Sequence, residues 1–86
     1  MLRQRSRGSL EAMAWLVVRR DQDGNLDVLR MPDGRSPAWE LSEAEADDIL
    51  AYVQREHRKV HGQSYWKLSY HRGTLRTFLK ANNIRV

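Results

Sequence analysis

The chain has 86 residues, no cysteine, 2 prolines and 5 glycines, with 41% hydrophobic and 30% charged side chains and a net charge of +4. That length holds one domain whose core buries roughly 60% of the unfolded surface. The missing cysteines exclude disulfides and thiolate metal sites, so a reducing cytoplasm is the expected location. No apolar run approaches the roughly 20 residues of a membrane span, so no membrane partner is expected.

Residues 1–12, MLRQRSRGSLEA, show no apolar periodicity and carry Arg3, Arg5 and Arg7, which reads as a flexible basic tail. No hydrophobic signal region follows those arginines. Met13 opens the apolar stretch MAWLVV, so residues 13–86 are expected to form the single domain, and Met13 stands as an alternative start.

Two extended segments, AWLVVRR and LDVLRM, flank DQDGN, and that pattern predicts a β-hairpin in which Gly24 and Asn25 tolerate the positive φ of a tight turn. Calcium is the rival for the same residues. An EF-hand register with Gly24 at the glycine position puts Arg19 and Arg30 where the first and last carboxylates belong, which rules that loop out. Pro32, Asp33 and Gly34 then mark a second turn.

The next segment is a well-marked helix over 42–61. Ser42 and Glu45 make an S-x-x-E capping box, and Leu41 stands where a hydrophobic staple would. Ala46, Ile49, Leu50, Val53, His57 and Val60 form one apolar face. Acids fill the first turns and Arg55, Arg58 and Lys59 the last, which complements the helix dipole, and Gly62 is the expected stop.

QSYWKLSYHR alternates, placing Ser64, Trp66, Leu68 and Tyr70 on one face of a strand and Tyr65, Lys67, Ser69 and His71 on the other, with Trp66 and Leu68 expected to be buried. Thr74 can cap a short helix whose Leu75, Phe78 and Leu79 face the core while Arg76 and Lys80 face water. Asn82 and Asn83 end that helix, and Ile84 to Val86 form a last short strand or a tail. The predicted class is α+β, a small single-domain sandwich of order β-β-α-β-α with an antiparallel hairpin and a third strand packed by two helices.

Charge is uneven along this order. Residues 37–50 carry five acids and no base, whereas 51–86 carry eight bases, one acid and all three histidines. If β-strand 64–71 turns Tyr65, Lys67 and His71 outward, then Arg72, Arg76 and Lys80 continue one basic surface into the following helix. Cations of that kind neutralise phosphates and a tyrosine ring can stack a base, while the backbone N–H groups at Gly73 and Thr74 offer a further phosphate contact. DNA or RNA is therefore the expected partner.

Other chemistries fit less well. His57 and His61 stand one turn apart and His71 could join them at zinc, but Arg58 holds the place of a zincin's glutamate and the surroundings are cationic, so no metal is expected. No nucleophile, base and acid recur at a recognisable spacing, there is no glycine-rich phosphate loop, and Asp47 and Asp48 diverge by about 100° on a helix. Neither an enzyme nor a cofactor is expected. A protein partner is the alternative, with docking through Trp39, which precedes the helix, and the acidic face bearing Glu43 and Asp47. An unpaired strand edge in so short a sheet leaves homodimerisation open.

HRGTLRTFLKANNI, residues 71–84, resembles the closing G-T-L-R-x-x-L-K helix of HicA-type mRNA interferase toxins, a segment that is structural in that family. The family's catalytic histidine lies in a G-S-H element that this chain lacks. The N-terminal half, with a Trp-bearing hairpin, a D-G turn and an E-A-x-x-x-x-L helix, is similar in outline to the arm-binding domains of tyrosine recombinases. Neither resemblance transfers a functional residue, and both point toward nucleic acid by analogy. The expected function is a small non-catalytic nucleic-acid-binding protein with an accessory or regulatory role, of the kind small phage or prophage genes encode.

Overall fold

A computed structural model describes residues 12–31, 33–57 and 63–86. Strands β1 (Met13–Arg20) and β2 (Leu26–Val28) form the hairpin, α1 (Glu43–His57) leads to β3 (Ser64–His71), and α2 (Leu75–Ala81) leads to β4 (Ile84–Arg85). The sheet has four strands in the order β3-β1-β2-β4. β1 is antiparallel to both β2 and β3, and β2 is parallel to β4, so of the two expectations for Ile84 to Val86 the short strand holds, over Ile84–Arg85.

The predicted order β-β-α-β-α is therefore present, in a small mixed-sheet α+β fold. Its organising element is β1, whose Ala14, Leu16, Val17 and Val18 are all fully buried. Because side chains alternate along a strand, Ala14, Leu16 and Val18 enter a cluster with Val28, Tyr70, Leu79 and Ile84, packed by Leu75 and Phe78 of α2. Val17 enters the opposite cluster with Ala38, Leu41 and Ala46, packed by Trp15, Ile49 and Leu50. The two helices thus cover opposite faces of one sheet. Each fully buried aliphatic side chain contributes roughly 1.5–3 kcal/mol, so β1 alone accounts for much of the hydrophobic stabilisation.

The hairpin turn is built around Asp21. Its Oδ1 accepts the backbone N–H groups of Asp23 and Asn25, both at 2.9 Å, and Gly24 supplies the positive φ at 86°. Those bonds, the one from the Asn25 N–H first, hold the Asp21 carboxyl below its usual range. The carboxylate faces its own turn.

β2 is shorter than LDVLRM suggests, and the reason lies in the pairing of β1. The Leu29 N–H donates to the Val17 carbonyl at 2.9 Å, after which the chain loops out, and the Val17 N–H is taken by Ala38 at 2.9 Å. Trp15 and Leu41 exchange both backbone bonds, at 2.8 and 3.0 Å. Residues 37–41 thereby occupy the edge of β1 that a longer β2 would have used. Glu40 adopts φ 53° within this segment, a bulge that brings Leu41 to the same side as Ala38, and its N–H donates to the Tyr70 hydroxyl at 3.0 Å. Pro32 lies outside the described residues; beside it, Asp33 accepts the Arg35 N–H at 2.8 Å and Gly34 takes φ 75°.

The capping box forms as the spacing requires: the Ser42 N–H donates to Glu45 Oε1 at 2.8 Å and the Glu45 N–H to Ser42 Oγ at 3.1 Å. Leu41 and Ala46 share a buried cluster, as a staple demands. The predicted helix end, Arg58 to Gly62, lies outside the described residues. α2 is ended by Asn82 and Asn83, the latter at φ 56°. Thr74 stands at the N-cap of α2 as expected, but its hydroxyl donates back to the His71 carbonyl at 2.5 Å and makes no side-chain capping bond.

Replacing Ser42 with alanine removes the acceptor for the Glu45 N–H and is expected to cost about 1 kcal/mol, a fall of about 4–8 °C in the thermal midpoint. Thermal unfolding followed by circular dichroism checks this.

Candidate nucleic-acid interface

The six residues expected to form one basic surface are divided by the sheet. On β3, Tyr65, Lys67, Ser69 and His71 share the face of β1 that carries Trp15, Val17 and Arg19, since Lys67 pairs with Val17 and Tyr65 with Arg19. That is the face α1 covers. α2, which carries Arg76 and Lys80, packs on the other face through Leu75, Phe78 and Leu79.

Lys67 is accordingly engaged within the fold. Its ammonium lies 2.8 Å from Glu43 Oε2 and 2.5 Å from Asp47 Oδ1, both on α1, and 4.9 Å from the centre of the Trp15 ring. Hydrogen bonds to Asp47 and Glu43 raise its pKa. The same contact occupies two of the three residues assigned to protein docking. The third, Trp39, is half-buried and packs against the larger core cluster.

Tyr65 is half-buried beneath the α1 end of the sheet, where its hydroxyl donates to Gln63 Oε1 at 2.7 Å and burial pushes its pKa up. It belongs to a row that crosses all four strands: Tyr65, Arg19, Asp27 and Arg85. Asp27 accepts from Arg19 Nη2 at 3.2 Å and from Arg85 Nε at 2.9 Å, so both arginines are paired. An open cleft of about 570 Å³ beside this row is lined by Arg30, Met31, Tyr52, Val53 and Val86.

Arg72, Arg76 and Lys80 remain. All three are exposed, and none forms an ion pair with a carboxylate among the described residues. Arg76 and Lys80 are four residues apart on α2 and so stand one above the other. Arg72, in the turn before α2, donates its backbone N–H to the Ala12 carbonyl at 2.7 Å, and its Nε lies 3.5 Å from the Met13 carbonyl. The arginines of residues 1–11, which lie outside the described residues, join the domain at this point of the chain. From Ser64 to Val86 there is no acidic residue at all. Arg20, which the sequence reading left out of the surface, is also exposed, and the alternation of β1 places it on the α2 side.

His71 ends β3 as an exposed residue. The other two members of the zinc arrangement are not described, His61 altogether and His57 in its side chain. Among the described residues no helix is long and apolar enough to cross a membrane.

No protein-family model, curated protein or solved structure matches this chain.

Lys67, Tyr65 and Tyr70 all hold their protons more tightly in the folded chain, the tyrosines through burial. Their stabilisation is complete below pH about 10 and declines as pH rises through the folded values. Alkaline unfolding is therefore expected to be steeper in the native chain than in Lys67→Met. Equal slopes in a pH series of urea unfolding would argue against the Lys67 contact.

Proposed function

We propose that the chain binds the phosphate backbone of nucleic acid without catalysis, through Arg72, Arg76 and Lys80. One observation carries this reading: three exposed cations that have no carboxylate partner among the described residues, in a segment that contains no acid. Cations already paired within a protein gain little by meeting a phosphate, because they must first give up their own partner. Free ones release condensed counterions directly. On this criterion Lys67, Arg19 and Arg85 drop out, while Arg72, Arg76 and Lys80 remain.

Spacing supports the same reading. Four residues of helix advance about 6 Å, close to two of the roughly 3.4 Å intervals, measured along the duplex axis, at which one DNA strand presents its phosphates. A stripe of point charges at that interval follows a backbone and carries no base readout. The role this suits is accessory or regulatory, in the cytoplasm, with affinity set by salt.

Fluorescence anisotropy of labelled duplex DNA, single-stranded DNA and RNA over a salt series tests the reading. Three contacts correspond to a log-log slope of about −2.7 on duplex and about −2.1 on single strands, with further contribution from the N-terminal arginines. The double substitution Arg76→Glu with Lys80→Glu is expected to abolish binding, while Glu43→Gln leaves it unchanged. Absence of binding to all three probes at low salt would overturn the proposal.

A further inference from the structure

Among the described residues β3 stands at the edge of the sheet, with β1 as its one strand neighbour. In an antiparallel ladder successive residues turn their backbone groups toward alternate sides. On β1, Trp15 and Val17 bond toward residues 29–41, which leaves Ala14, Leu16 and Val18 to bond with Tyr70, Leu68 and Trp66. The N–H and carbonyl groups of Lys67 and Ser69 consequently point away from the sheet.

Long edge strands are normally guarded by charge, most often lysine, or by proline. β3 has eight residues, SYWKLSYH, with no proline and one formal charge. That charge, Lys67, is held by Glu43 and Asp47 over Trp15. It lies on the α1 face and does not protect the edge. On the other face Trp66 and Leu68 are half-buried, although the β1 residues beside them are fully buried.

We infer that this edge is a homodimer interface, in which β3 pairs antiparallel with the same strand of a second copy about a twofold axis at Leu68. A second copy is the occupant because the strand is nearly self-complementary about that residue. The axis sets Lys67 opposite Ser69 of the partner subunit, Trp66 opposite the partner's Tyr70, and Leu68 opposite the partner's Leu68. Aromatic and aliphatic cross-strand pairs of this kind are favourable, whereas centring the axis on Lys67 would oppose like charges. Pairing is confined to the middle of the strand, since the Tyr65 carbonyl accepts from Gln54 at 3.4 Å and the His71 carbonyl from Thr74 at 3.1 Å.

The twofold of an antiparallel ladder is perpendicular to the sheet, so both copies of α2 lie on one face of a continuous sheet. Their basic stripes then face the same way and bind a single nucleic acid with bivalent gain. This last consequence rests on the proposed function, and the dimer itself does not.

Sedimentation velocity of the full chain without nucleic acid, from micromolar to submillimolar concentration, tests the inference. A monomer–dimer equilibrium is expected. Ser69→Pro removes an outward N–H that the β1 ladder does not use and is expected to give a monomer with unchanged circular dichroism. Ser69→Lys opposes like charges at both symmetry-related positions and is expected to weaken the dimer about tenfold; it decides the matter if the proline variant fails to fold. A chain that stays monomeric throughout, or a dimer indifferent to Ser69→Lys, would overturn the interface. A dimer that binds no nucleic acid keeps this inference and removes the preceding one, and a monomer that binds does the reverse.

Discussion

The complete burial of β1 is the constraint on which the rest of this fold depends. Ala14, Leu16, Val17 and Val18 leave no solvent-facing side, so the chain must supply a cover for each face and a hydrogen-bond partner for each edge. α1 covers the face carrying Val17, and α2 covers the one carrying Leu16 and Val18. β3 satisfies one edge. The other is shared between a short β2 and residues 37–41, an arrangement that requires Glu40 to take an unfavourable φ and explains why its N–H is anchored by the buried Tyr70 hydroxyl.

From that constraint the division of charge follows. Lys67 lies on the face of β3 that α1 covers, so it must either be neutralised or destabilise the packing of α1. Glu43 and Asp47 neutralise it. These acids also suit the positive end of the helix dipole, so one pair of carboxylates serves the local helix and the tertiary contact. Arg76 and Lys80, on the outer side of the seven-residue α2, and Arg72 in the turn before it have no such carboxylates among the described residues.

Features determined within a few residues were legible in the sequence. The capping box at Ser42 and Glu45, the Asp21 to Asn25 turn, the alternation of β3 and the orientation of Leu75, Phe78 and Leu79 each depend on local spacing, and each is found. Features set by pairing over longer separations were not. Lys67 lies 24 and 20 residues from Glu43 and Asp47, and nothing in the alternation of SYWKLSYH tells which face a distant helix will cover. The truncation of β2 had the same origin, because only the competing strand-like segment at Ala38 and Leu41 ends it. Trp66 and Leu68 are half-buried where full burial was expected, since α2 is too short to extend over an edge strand as well as the centre of the sheet.

On the proposed reading nucleic acid meets Arg72, Arg76 and Lys80 on the α2 side and not Lys67 on the strand beside them. Amide chemical-shift mapping of the isotope-labelled chain, titrated with a short DNA duplex at low salt, tests it most directly. Shifts are expected to concentrate at Arg72 to Lys80 and near Ala12, with Tyr65, Lys67 and the α1 residues Glu43 and Asp47 unmoved. Shifts centred on Tyr65 and Lys67 would contradict it, because they would require the ion pairs beneath α1 to open for the ligand.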